Sequence, residues 1–259
     1  MHYAHLGTGN FNEQTAKIYC DHSLLTCNKK ITEEVVKLFS FYRDNFKTGL
    51  YKRLLVSPFN MRKRFLQLIN EEIKNAEAGK PAYIYIKMNS LVDTEMIKKL
   101  YQASEAGVKI KMIVRGICSL VTELKGYSDN IEVISIVDKF LEHSRILVFA
   151  GNGEEKYFIS SADWMYRNLD HRSEVALPVY DKELQKQLMT YLLIQWNDNV
   201  KARIIDQDQK NVYRSSGGGS PVRSQDDISR WLNGKLNPER LVSDSMREIK
   251  SAAVLNSLL

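Results

Sequence analysis

The sequence predicts an α/β fold with a largely parallel sheet flanked by helices. Two observations carry this. Between residues 52 and 137, short β-branched and aromatic runs alternate with longer stretches whose apolar residues recur every three or four positions. The helical stretches end on breakers, Gly79 with Pro81 behind it and then Gly107. That alternation is the rhythm of an α/β domain.

The elements follow in order. His2–Asn10 (HYAHLGTGN) places Gly7 and Gly9 around Thr8, a tight turn whose N–H groups can face an anion, although an ordinary turn is the better reading of a lone GxG. Lys17–Asp21 reads as a short strand carrying Tyr19. Ile31–Phe46 reads as an amphipathic helix with Val35, Leu38, Phe39 and Tyr42 inward and Thr32 as its N-cap. Lys52–Val56 is a strand broken by Ser57-Pro58. Asn60 can cap a helix over Met61–Ala78 that turns Phe65, Ile69 and Ile73 to one side. Ala82–Met88 is a buried strand, Thr94–Ala106 a helix, and Ile110–Val114 and Ile131–Val137 further strands. Ser173–Val179 is a strand, and Lys182–Asn197 a helix with Leu184, Leu188, Tyr191 and Leu192 inward. Short β-like pieces lie near Arg203–Ile205 and Val212–Tyr213. SSGGGS over Ser215–Ser220 has linker composition, and Pro221–Leu259 carries two weak helical patterns, around Trp231 and from Glu239 onward. In such sheets ligands gather at the carboxyl ends of strands, where Lys87, Asn89 and Arg115 stand.

The chemistry concentrates in Leu141–Glu174. His143 precedes the apolar run Ile146–Phe149, and Arg145, two residues on, shares its face of a strand. Tyr157–Ile159 leads into Ser160, Ser161 and Asp163, and Asn168, Arg172 and Glu174 follow. A nitrogen base or nucleophile, guanidinium groups and a carboxylate are what a phosphoryl-transfer site needs. From the local residues alone a structural ion network is the better reading. We read Glu174 as the acid that fixes the tautomer of His143, and Arg145 and Arg172 as contacts for a phosphate chain, with a salt bridge the competing role for Arg172. Lys87 and Asn89 are candidates to line the same pocket.

Composition sets the limits. The chain has 259 residues, 44% hydrophobic and 26% charged, as in an ordinary soluble globular protein. A net charge of +6 favours polyanionic partners without choosing among them. Cys20, Cys27 and Cys118 are an odd number with no CxxC pair, which argues against a disulfide framework or a cysteine zinc site and fits a reducing cytosol. No apolar run has the length of a membrane span, and the N-terminus does not read as a signal peptide.

Several long motifs then occur in one order: HLGTGNFNEQTAKIYCDHSLLT, SPFNMRKRFLQLINEEI, KMNSLVD, VKIKMIVRGIC, SIVDKFLEHSRI and SSADWMYRNLDHRSEV. From His2 to about Arg214 they resemble the C-terminal half of the type 1 polyphosphate kinases of bacteria. The resemblance implies a phospholipase D-like fold with a mixed, largely parallel sheet. It divides the chain into residues 1–52, the end of a first catalytic domain, residues 53–214, a whole second one, and residues 215–259, a linker and a helical or partly disordered tail. It implies reversible transfer of the ATP γ-phosphate to inorganic polyphosphate through a phosphohistidine, with magnesium required. That histidine and most of the magnesium ligands are expected upstream of this chain, which alone would then be inactive, and His5 is not read as the acceptor. The partners implied are ATP or ADP and polyphosphate, not nucleic acid. A cytoplasmic location, peripheral contact with the inner membrane face, and a homo-oligomeric full-length enzyme go with them.

Carried onto these residues, the resemblance makes Tyr19 a nucleotide-contacting tyrosine, Arg115 a phosphate-binding arginine, and His143 a second essential histidine touching the nucleotide phosphates. The physics agrees: phosphoryl transfer is mostly positioning and neutralisation of oxygen charge, and arginine supplies a planar fork of donors. Tyr19 can stack on adenine, and a core tyrosine is the alternative. Two other functions compete. A phospholipase D-like phosphodiesterase would want HxK, whereas Arg145 stands two after His143. A non-catalytic polyanion-binding module has only the net charge behind it.

Overall fold

The structure, a computed structural model, describes residues 1–46, 49–215 and 217–239. Its elements begin with β1 (Ala4–Gly7), α1 (Glu13–Ala16), β2 (Tyr19–Cys20), β3 (Ser23–Thr26), α2 (Lys29–Arg43), β4 (Leu55–Ser57) and α3 (Met61–Glu77). There follow β5 (Tyr83–Met88), α4 (Thr94–Glu105), β6 (Lys109–Val114), β7 (Ile131–Ile136), β8 (Leu141–Glu142), β9 (Arg145–Phe149) and β10 (Lys156–Ser160). The remainder are α5 (Tyr166–Asp170), β11 (Glu174–Val179), α6 (Lys182–Trp196), β12 (Ala202–Ile204) and α7 (Ser224–Leu232).

Among the described residues, eight strands form one mixed sheet in the order β12-β7-β6-β5-β9-β10-β11-β4. The α/β class is as predicted, but the sheet is not largely parallel. Parallel pairing is confined to β5–β6 and β6–β7, and the other five pairs are antiparallel. The helical crossover through α4 explains the parallel step from β5 to β6. From β9 onward the links are short enough for hairpin-like returns, which make antiparallel neighbours. The crossover through α3 joins β4 and β5, yet β9, β10 and β11 insert between them, so β4 ends at the far edge.

Helices cover both faces. On one, Met61, Phe65, Leu68 and Ile69 of α3 and Met96 and Leu100 of α4 pack on Ile84, Ile86, Met112 and Phe149. On the other, Leu188, Leu192, Leu193 and Trp196 of α6 and Ile31 and Leu38 of α2 pack on Ile113, Ile134, Ile146 and Val148. Arg62 ties the helices of the first layer together. It reaches Asp93, the N-cap of α4, at 2.6–2.7 Å and Asp170 of α5 at 2.5–2.9 Å, and both partners hold its pKa well above the ordinary value.

Local departures have local causes. In α2 the N-cap is Asn28, not Thr32, and Asn28 Oδ1 accepts from Lys30 N at 3.0 Å. Phe39 and Tyr42 of that helix face outward, 63% and 47% exposed, and meet edge to face. The strand predicted from Lys52 starts only at Leu55, because the buried carboxylate of Glu34 accepts from the backbone N–H groups of Lys52, Arg53 and Leu54 at 2.8–3.1 Å. Those donors are taken before a neighbouring strand can use them. Asn60 does precede α3, but its side chain bonds Val56 N, Tyr51 O and Leu54 O rather than the helix.

The first helical pattern of the tail is α7, which docks against α6. Val222 N donates to Asn199 Oδ1 (2.8 Å) and Ser224 N to the fully buried Asp198 (2.8 Å). The second pattern lies mainly in residues 240–259, outside the described residues. Among the described residues no helix is long and apolar enough to cross a membrane.

Candidate active site

One rim of the sheet gathers residues from distant parts of the chain. β5 and β6 run parallel, and β9 runs antiparallel to β5 with Lys87 opposite Ile146. The ends of the first two strands therefore meet the start of the third, and Asn89 and Arg115 come beside His143 and Arg145. A short parallel pair, β2 with β8, adds the N-terminal segment: Tyr19 lies opposite Leu141 and Cys20 opposite Glu142. The N–H groups of His143 and Ser144 both donate to Cys20 O, at 3.1 and 2.9 Å. This register flanks His143 with Tyr19, ring centroids 4.8 Å apart, and with Asp21.

Asp21, not Glu174, holds the histidine. Its carboxylate lies 2.9–3.0 Å from His143 Nδ1, which suits an Nδ1–H tautomer. Glu174 is turned away and engaged by the Ser161 hydroxyl and by Asn168 Nδ2 (2.7 Å). The expected contact of Glu174 with His143 is absent because β11 starts two strands away from β9, on the far side of β10. The HLGTGN turn serves Asp21 rather than presenting N–H groups to an anion. Thr8 Oγ1 donates to Asp21 Oδ1 (2.6 Å), and Thr8 N donates to His22 O (2.9 Å). Gly9 leaves room for the carboxylate, since a Cβ there would fall 2.0 Å from Asp21 Oδ2. Burial pushes the Asp21 pKa up, but the hydrogen bonds from His143 and Thr8 and the charge of Arg145 outweigh it and leave the carboxyl below its usual value.

Beneath the rim the charged groups are saturated. Arg145, 6% exposed, makes a fork with Asp163 (3.0 and 3.2 Å) and donates to Thr8 O (2.9 Å) and His143 O (2.8 Å). Asp163 also accepts from the backbone of Asn89 and Ser90. Arg145 therefore braces the histidine instead of offering its donors to a phosphate chain. Lys87 is buried against Glu142 (3.3 Å) and donates to Ser144 O (3.2 Å), so it supports the His143 segment from below rather than lining a pocket. Burial lowers the Lys87 pKa against the pull of Glu142. Asn89 joins both sides: its Nδ2 donates to His143 O (3.0 Å) and its Oδ1 accepts from Arg115 Nε (2.8 Å).

At the surface, Arg115 is half-buried, and its Nη groups make no hydrogen bond among the described residues. Arg172 is exposed two residues before Glu174. An imidazole oriented by a carboxylate, an aromatic ring and a guanidinium with open donors thus share one rim.

The model of "Polyphosphate kinase C-terminal domain 2" matches residues 54–225, and that of "Polyphosphate kinase C-terminal domain 1" matches residues 1–48. The chain belongs to the polyphosphate kinase family. It is 50% identical over 232 residues to a polyphosphate kinase of Vibrio cholerae, covering 90% of this chain and 33% of that protein. With one from Escherichia coli it shares 44% over 239 residues, 92% of this chain and 35% of that one. The crystal structure of polyphosphate kinase from Porphyromonas gingivalis superposes with a TM-score of 0.87 at 47% identity, covering 90% of this chain and 36% of that one. The chain thus spans about a third of the length of the relatives it matches. A phospholipase D family member from Salmonella typhimurium aligns at 14% identity with a TM-score of 0.43, too loosely to carry an argument.

Among the described residues, the magnesium that the polyphosphate kinase family implies finds no ligand set. Among the described residues no group of three or more His, Cys, Asp or Glu side chains could hold a metal ion. Asp21 at the rim, Asp163 beneath it and Glu174 beyond β10 are each engaged by protein donors. Sequence reading missed Asp21 and, although it picked out Asp163, gave that residue no role. Asp21 was visible inside KIYCD, two residues from Tyr19, but nothing local says that it reaches His143 rather than solvent.

Proposed function

We propose that this chain forms the nucleotide- and polyphosphate-contacting wall of a polyphosphate kinase, in which the ATP γ-phosphate passes reversibly to inorganic polyphosphate. The observation that supports it is the meeting of His143, Tyr19 and Arg115 at one rim. Arg115 turns its open Nη donors to phosphate oxygens, whose charge must be spread during transfer. Tyr19 lies beside His143 and offers a ring face to the base. Asp21 accepts from His143 Nδ1, and Nε2, 3.1 Å from Arg145 Nη1, is the ring nitrogen that would exchange a proton with a phosphate oxygen once that contact opens. Arg172 contacts the polyphosphate chain, while Arg145, Lys87 and Asn89 hold the histidine segment. The phosphorylated histidine and the magnesium ligands belong to other parts of the enzyme, and a cytoplasmic homo-oligomer goes with the same reading.

Calorimetric titration of the chain with a magnesium–ATP analogue and with short polyphosphate tests this. Arg115→Ala should weaken both at least about tenfold, as expected for loss of a charge-assisted fork. Equal affinity in the variant sinks the reading in favour of diffuse binding by net charge. Hydrolysis of a generic phosphodiester that depends on His143 sinks it in favour of a hydrolase.

A further inference from the structure

We infer that Gln225, at the start of α7, is a positioning residue for His143. Its carboxamide grips the strand that leads to the histidine. Gln225 Nε2 donates to Phe140 O (2.8 Å), and Gln225 Oε1 accepts from Phe140 N (3.0 Å), a pairing like that of an added strand. The same Nε2 also donates to Glu142 Oε1 (2.8 Å). Glu142 is 2% exposed, and its other oxygen accepts from Tyr191 (2.9 Å) and Gln195 (2.6 Å) of α6 and faces Lys87 Nζ at 3.3 Å. Lys87 in turn donates to Ser144 O. Both sides of His143, residues 140–142 before it and Ser144 after it, are thus held by one buried network that Gln225 closes from α7.

A second bond from α7 acts on the same segment. Arg223 makes a fork with Asp138 at 2.6 and 2.9 Å, and the Asp138 side chain is 3% exposed. Further back, Asn199 and Asp198 fix the start of α7 to the end of α6. The position of His143 matters through β8, since Leu141 N donates to Ile18 O (2.9 Å) and His143 N to Cys20 O. Those bonds set the register of β2, and therefore where Tyr19 and Asp21 stand against the imidazole. The carboxamide is suited to this task because it donates to a carbonyl and a carboxylate while accepting from an N–H.

The inference rests on the role given to His143 above, and the test separates the two. Amide hydrogen exchange and the pH titration of the His143 ring are followed by NMR on the whole chain, in wild type, Gln225→Ala and Gln225→Glu. Gln225→Ala should speed exchange at Leu141, His143 and Ser144 about tenfold, move the titration midpoint of His143, and leave the amides of β5 and β6 unchanged. Gln225→Glu keeps the side-chain shape but loses the donor, so it should do at least as much. It carries the test if the alanine variant lowers overall stability. Unchanged exchange at those three amides and a superimposable His143 titration in either folded variant overturn the inference. If a magnesium–ATP analogue leaves the wild-type His143 signals unmoved, the nucleotide reading fails while the exchange result still stands.

Discussion

The floor of the site and its lip use the same kinds of side chain in opposite ways. In the floor, Arg145, Lys87, Asp163 and Glu142 are at most 8% exposed, and every charge is matched by an opposite charge or by backbone groups. At the lip, Arg115 and Arg172 keep guanidinium donors open to solvent, while His143, its side chain 16% exposed, sits at the boundary with Arg145 Nη1 3.1 Å from its Nε2. A buried charge without partners is costly, so the floor must be complete before any ligand arrives. A group that is to bind phosphate must instead retain unused donors. The comparison teaches that residue type does not separate the two classes: Arg145 and Arg172, both expected from the sequence to meet a phosphate chain, fall on opposite sides of the division.

The comparison breaks most sharply at the buried pair. Lys87→Met leaves Glu142 as a buried, uncompensated charge and should cost about 3–5 kcal/mol in urea denaturation, with the His143 segment loosened. A loss below about 1 kcal/mol would mean that the floor is not saturated in the sense argued here. Arg115→Ala, by contrast, should change stability by no more than about 0.5 kcal/mol while weakening phosphate ligands, a split that a floor residue cannot produce.

Acid sharpens the boundary further. His22, behind Asp21 and edge to face with Tyr191, is lowered to about 4, first by burial and then by the Lys87 charge. Its neutral form is the one the fold accepts. Its contribution is therefore complete above the unfolded value of about 6.5 and is lost as pH falls from there toward about 4. His22→Phe should flatten that part of a stability–pH curve. The smallest effect belongs to Asp21. Its depressed pKa contributes stability above the ordinary aspartate value of about 3.9, and this is lost as pH falls through the folded value. Asp21→Asn should remove only that most acidic limb. An unchanged curve would show that the His143–Asp21 contact carries no linkage to folding.

Much of this protein was legible in order along the chain. Helix stops at Gly79 and Gly107, the apolar faces of α3 and α4, and the placement of Arg115 at the end of β6 follow from local period and turn chemistry, which contiguous residues carry by themselves. The resemblance marked His143, Tyr19 and Arg115 in the same way, because each sits in a motif readable without its partners. Pairing between strands is different. Whether β9 returns beside β5 or elsewhere depends on competition among all the strands, and local propensity does not encode that. The alternation of strands and helices therefore predicts a larger parallel share than the sheet has.

The same reason governs the carboxylates. From the sequence, Glu174 looked like the partner of His143, since both belong to one motif-rich stretch. In the fold, β10 separates β11 from β9, while the β2–β8 register carries Asp21 to the imidazole from more than a hundred residues away in the chain. Sequence alone determined which chemical groups the rim could hold. Tertiary structure decided which charges cancel one another in the floor and which stay open, because burial and partner choice arise only when distant segments close on each other.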